Sequence, residues 1–239
     1  MHTAKSISKK ASDKGLKIND QKTQLLSVSS AFYNTRAIIK DNSGAEITSS
    51  ESLKMLGYTF STSLSVQPQL DSLMRKANKR FFLLRHYKRS GVPKDKLKEI
   101  FCAMNRSILE YSSKVYHSML NIGQSNELEK IQKRCLRIIY GFEFTYKQLL
   151  EKAGFESLKD RRERQFAKFA KKASENDKYK HWFPKNPTER ITRKTLVYKE
   201  EKATGNRLYN SPIFAMRRLL NNSQSPLDNV DLTGLFNMP

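Results

Sequence analysis

Acidic residues are scarce in this chain, and so are cysteine, tryptophan and long apolar runs. Of 239 residues only 23 are Asp or Glu, against 45 Lys and Arg, a formal charge of +22. Such an excess repels itself unless salt, spacing or an anionic partner offsets it, and nucleic acid is the first partner to consider. The two cysteines, Cys102 and Cys135, lie in apolar patterns. That suits buried thiols in a reducing compartment better than a disulfide framework. No run approaches the roughly 18 apolar residues that a membrane span needs, and the first residues lack the apolar centre of a secretory signal. The chain reads as soluble and intracellular, nuclear or cytoplasmic, with no membrane partner.

Catalytic groups are also sparse. His2, His86, His117 and His181 stand apart from one another and from the cysteines, outside any zinc-ligand spacing. His86 and His117 read as surface or boundary residues. There is no glycine-rich phosphate loop, no G-x-S-x-G elbow and no H-E-x-x-H. Two-metal phosphoryl chemistry needs carboxylates that hold ions about 4 Å apart. Here only Glu200 and Glu201 are adjacent, so the residues themselves point to no catalytic or metal ligand set.

What is present is a 38% hydrophobic chain, enough for one large or two small cores. Ala4, Ile7 and Ala11 repeat at three and four and predict a short helix that Gly15 stops. Thr23 to Ser30, Thr35 to Lys40 and Ser52 to Ser61 are strand-length and rich in apolar or β-branched residues. "DNSG" reads as a hairpin turn before "AEIT". The economical reading is one small antiparallel sheet.

From Val66 the period turns helical. Pro68 opens a helix with Leu70, Leu73, Met74, Ala77, Phe81 and Leu84 on one face, ending at Gly91. A second runs from Pro93 with Leu97, Ile100, Phe101, Met104, Ile108, Tyr111 and Val115, and a third carries Leu128, Ile131, Cys135, Ile138 and Ile139 before Gly141. Together they predict a three-helix bundle. Thr145 to Ala153 predicts one more short helix. Ser157 with Asp160 predicts a capped start for a basic helix to Ala173. Beyond Asn176 the apolar density falls, and Trp182 to Pro184 reads as a packing anchor for a loosely packed extension with a helix from Ser211 to Leu220.

The surplus of charge is uneven. Residues 65 to 174 carry 25 basic and 11 acidic side chains, a surplus of 14. Arg75, Lys76, Lys79 and Arg80 cluster on the first bundle helix, and Lys130, Lys133, Arg134 and Arg137 form a stripe on the third. With "RRER" (Arg161 to Arg164), these predict contacts to phosphates, which add affinity without sequence choice. Phe81, Phe82, Tyr87, Tyr116 and Tyr140 interleave with the charges, and most of them read as packing residues rather than base-stacking ones.

The order of these features resembles the end of a non-LTR (LINE-type) retrotransposon reverse transcriptase over about residues 10 to 174. Gly15, Leu16, Ile18, Asn19, Lys22 and Thr23 match the family's G-L-x-[IL]-N-x-x-K-T segment. Leu53, Lys54, Met55, Leu56, Gly57 and Tyr58 match its primer-grip hairpin in all but the first aromatic, and Leu128, Ile131, Gln132, Lys133, Leu136, Arg137 and Ile139 match a thumb segment.

The resemblance implies an α+β fold: a palm remnant with its primer grip over 1 to 64, a thumb-like bundle over 65 to 174, and an extension over 175 to 239. It implies primer–template RNA and DNA as partners, with the palm and fingers portion or another protein as a further one. The implied contacts are Lys22, Lys54, Met55, Leu56, Gly57 and Tyr58 together with the eight bundle cations. The family's catalytic Asp and Asp-Asp hairpin have no counterpart here, so Mg2+ and polymerisation are implied for the intact parent, and a truncated, inactive fragment for this chain. The alternative is a free-standing basic helical module, transposon-derived, that binds nucleic acid or protein.

Overall fold

A computed structural model describes residues 4–28, 38–40, 45–186 and 196–223. The architecture is α+β, and the chain divides into two compact units, Met1–Ser72 and Leu73–Pro239.

In the first unit, α1 (Ala4–Ser12) ends at Gly15, whose φ of 70° lets the Leu16 N–H reach back to the Ala11 carbonyl at 2.9 Å. A single 3-10 turn, Asp20–Lys22, follows. The expected strand from Thr23 contributes only a parallel bridge, Leu25 to Ser49, and Ser29 and Ser30 lie outside the described residues. The strands β1 (Ile38–Lys40) and β2 (Glu46–Thr48) pair antiparallel. The "DNSG" turn lies outside the described residues.

Ser52 to Ser61 does not form one strand. It folds into β3 (Ser52–Met55) and β4 (Tyr58–Ser61), paired antiparallel from Ser52↔Ser61 to Met55↔Tyr58. Leu56 and Gly57 have φ of 49° and 81°, the sign pattern of a type I′ turn, whose twist matches that of the flanking strands. The single sheet expected from the sequence is therefore two separate two-stranded ladders. Tyr58, Val66 and Leu70 are buried in this unit, and the Thr59 N–H donates to Gln69 Oε1 at 2.9 Å.

Helix α2 (Gln67–Arg89) runs across the boundary between the units, and Leu70, Leu73, Ala77, Phe81 and Leu84 are buried along it as the period requires. The expected second helix is broken. It is α3 (Lys94–Phe101), a π-helical turn over Cys102–Arg106, α4 (Ser107–Glu110) and α5 (Ser113–Tyr116), with Ser112 left-handed at φ 57°. A π turn inserts one residue and rotates the following face. The buried series is thus Leu97, Phe101, Asn105 and Leu109, while Tyr111 and Val115 are exposed. Asn105 satisfies its amide by donating to the Ala77 carbonyl at 3.1 Å.

A 3-10 turn at His117–Met119 leads into α6 (Ile122–Tyr140), which buries the predicted apolar stripe. Two capped helices follow: α7 (Tyr146–Ala153) behind Thr145, and α8 (Leu158–Glu175), whose Asp160 N–H donates to Ser157 Oγ at 3.0 Å. After a 3-10 segment at Asp177–Trp182 come α9 (Asn206–Tyr209) and α10 (Pro212–Ser223).

The described part of the extension is packed rather than loose. Phe183 and Ala215, Met216, Leu219 and Leu220 of α10 close an apolar cluster with Phe166, Ala170 and Ala173 of α8. Asn221 clamps Tyr198 at both ends of its peptide unit, accepting from the Tyr198 N–H at 2.9 Å and donating to its carbonyl at 3.0 Å. The low apolar density hid this packing because alanines and one polar clamp do much of it. No helix among the described residues is long and apolar enough to cross a membrane.

His117 is buried against Phe166 rather than at the surface. Burial, with the Arg162 and Lys159 charges adding to it, lowers its pKa from 6.5 to about 4. Above pH 6.5 the imidazole is neutral in both folded and unfolded chains and the term vanishes. Between pH 6.5 and 4 the unfolded chain takes up the proton first, so stability falls, by up to about 3 kcal/mol. Urea unfolding at pH 7 and pH 4.5 should show His117→Gln losing less stability over that interval than the parent; equal losses would show that His117 does not titrate this way.

Candidate nucleic-acid interface

Three groups of sequence-predicted residues can be placed. The first surrounds Lys22. The Asn19 side chain accepts from the Lys22 N–H at 3.2 Å, and Thr23 Oγ1 donates to the Asn19 carbonyl at 3.0 Å. The "N-x-x-K-T" part of the motif is thus a self-bonded turn, in which Asn19 and Thr23 have structural roles. The Lys22 side chain is exposed.

The second group is the β3–β4 tip. Tyr58 is buried with its ring centroid 4.7 Å from that of Phe60, and burial raises its pKa. Lys54 and Met55 are exposed, and Leu56 is 87% exposed at the head of the turn. Asn or Gly suits a left-handed position better than leucine does.

The third group is the bundle cations, which the structure sorts by what they touch. Arg80 donates to the Met104 carbonyl and Arg134 lies over the Phe81 ring at 4.5 Å, so both join helices. Lys130 pairs with Glu127 at 2.5 Å. Lys133 and Arg137 are half-buried, whereas Arg75, Lys76 and Lys79 are exposed. Arg85, Lys88 and Arg89, exposed further along α2, escaped the sequence reading. Their signal was present: no acidic residue occurs between Asp71 and Asp95. Among the described residues none of the seven Lys and Arg of α2 stands in an ion pair.

"RRER" is the main correction. Arg161 bonds the Glu110 carboxylate and pairs with Glu156 at 3.3 Å, Arg164 pairs with Glu156, and Arg162 is only 1% exposed. Arg162 Nη2 donates to Ser125 Oγ at 2.8 Å. Burial lowers its pKa, while the Tyr116, Glu129 and Glu163 fields oppose that. Nearby, the Glu129 carboxylate accepts from Tyr146 Oη at 2.5 Å and from the Lys159 N–H at 2.6 Å, placing negative charge at the start of α8. Gln132 donates to Tyr146 Oη at 3.0 Å and to the Glu156 carbonyl at 3.1 Å. Arg161 ties α8 to Glu110 of α4 and Arg162 is closed to solvent, whereas Arg164 stays exposed beside Glu156.

Both cysteines are free, Cys102 half-buried and Cys135 buried, and burial pushes both thiols up. Among the described residues no three of His, Cys, Asp and Glu converge as a metal site.

Two substitution sets separate structure from surface. Arg162→Ala should cost about 2–5 kcal/mol in chemical unfolding because it empties a fully buried site and removes the donor to Ser125. Joint replacement of Arg75, Lys76 and Lys79 by Ala should change stability by less than about 1 kcal/mol. At the turn, Leu56→Asn should stabilise the hairpin by up to about 1 kcal/mol; a loss of stability would mean that Leu56 has an apolar partner. Comparison with protein-family models, with curated proteins and with solved structures returns no match for this chain.

Proposed function

We propose that this chain binds nucleic acid through its phosphate backbone, as the non-catalytic C-terminal part of a LINE-type reverse transcriptase. The β3–β4 tip meets a primer end, and cationic helix faces lie along phosphates. Mg2+ chemistry belongs to the parent polymerase's own carboxylates.

One observation carries the binding reading. Helix α2 bears seven Lys and Arg between Leu73 and Arg89, no acidic residue, and no ion pair among the described residues. A solvated face ordinarily interleaves both signs; a run of one sign 17 residues long favours a polyanion. The assignment to a reverse transcriptase rests separately on the three motifs and their order. The exposed, left-handed Leu56 supports it as the residue where the fold gives up local comfort at a tip.

Fluorescence anisotropy on a primer–template duplex between 50 and 200 mM salt is the direct test. Affinity should fall steeply, with a log–log slope of about −0.9 per phosphate neutralised. Replacing Lys79, Arg85 and Arg89 together by Gln should reduce the slope by roughly 2 to 3. An affinity indifferent to salt would refute phosphate binding. Equal affinity for blunt and recessed ends, unchanged by Leu56→Asn, would refute the primer-grip assignment while leaving backbone binding intact.

A further inference from the structure

Of the aromatic side chains interleaved with the charges, Phe81 and Tyr116 are buried and Tyr87 and Tyr140 half-buried. Phe82 differs: its side chain is 69% exposed on α2. Its ring lies 6.3 Å from that of His86, one helical turn on, with the two planes only 17° apart. Exposing a phenyl ring forfeits about 1.5–3 kcal/mol of burial, so nothing in the isolated fold favours it there.

The surroundings of that ring select its partner. Lys79 lies three residues before Phe82, Arg85 three after and Arg89 seven after, all exposed and without ion pairs among the described residues. An apolar protein surface covering Phe82 would have to bury these cations at its rim. A nucleotide strand supplies both a flat π face for the ring and a phosphate on either side for the charges. In a duplex the base faces are already stacked on one another, so an aromatic side chain on a helix gains contact only from an unpaired base.

We propose that Phe82, backed by His86, is a stacking site for an unpaired base whose flanking phosphates meet Lys79, Arg85 and Arg89. Helix α2 thereby prefers single-stranded nucleic acid to duplex. This rests on the nucleic-acid reading above and adds to it a distinction of strandedness that charge alone does not make.

The test measures binding of the full chain to single-stranded 20-mers of RNA and of DNA and to a 20-base-pair duplex, with parent, Phe82→Ala, Phe82→Trp and Lys79→Ala. Phe82→Ala should weaken single-strand binding roughly 5- to 100-fold on either sugar chemistry. It should leave the salt slope and the duplex affinity unchanged, and Phe82→Trp should restore binding, with its added fluorescence quenched by the single strand. Lys79→Ala should weaken both substrates and lower the slope. Unchanged single-strand affinity in Phe82→Ala, or an equal loss on single strand and duplex, overturns the stacking site but not backbone binding. Failure of the parent to bind any of the three overturns both.

Discussion

A carboxylate is the scarce group in this molecule, and where the few are placed decides what each cation can do. With 45 basic and 23 acidic side chains, one-to-one pairing leaves 22 cations without a partner. Helix α8 draws a large share of the carboxylates. Glu110 serves Arg161, Arg106 and Gln165, Glu156 serves Arg161 and Arg164, and Glu129 meets the backbone at the start of α8. Arg162, the largest fully buried side chain, donates to Ser125, and the fields of Glu129 and Glu163 oppose the cost of burying its charge. Helix α2 differs: among the described residues none of its seven Lys and Arg pairs with a carboxylate, and their charge is left to solvent and salt.

The regular part of the fold was legible because periodicity reports burial. The stripes of α2 and α6 lie where their three-and-four spacing puts them, and the Thr145 and Ser157 caps are formed. Misreadings occurred where a single residue changes the phase. The π turn at Cys102–Arg106 moves the buried series to Asn105 and Leu109, and no apolar pattern announces it, since Asn105 is polar and its place depends on the Ala77 carbonyl of another helix. The left-handed pair at Leu56 and Gly57 likewise turns one apparent strand into two. The local pattern carries no Asn or Asp at the first turn position, the usual signal, and only the primer-grip match of Leu53 to Tyr58 implies a hairpin there.

The candidate site was legible only in part, for a related reason. Charge runs look alike in sequence whether the side chains face water, a carboxylate or a ring. "RRER" and the α2 run share that appearance, yet the first is tied to Glu110, Glu156 and Ser125 and the second is open. What separates them in sequence is the distribution of acids, interspersed around α8 and absent between Asp71 and Asp95. Counting partners rather than cations would have favoured α2 and included Arg85, Lys88 and Arg89. It would not have exposed Phe82, whose neighbour Phe81 is equally apolar and fully packed; only the helix phase against its core distinguishes them.

Many matching residues have structural reasons to be where they are. Asn19 and Thr23 close a turn, Gly15 ends a helix, Leu128, Ile131, Leu136 and Ile139 are core, and Gln132 bridges Tyr146 to the start of α8. Such residues specify a shape rather than a contact, and other chains could reach similar ones for folding alone. Apart from Asn19 in its turn, the matching side chains that stay exposed are Leu16, Lys22, Lys54, Met55 and Leu56. A residue that departs from its local backbone preference is better evidence of use than one satisfying several constraints at once. The weight of the resemblance therefore falls on those exposed side chains, and the exposed cations of α2 support nucleic-acid binding independently of it.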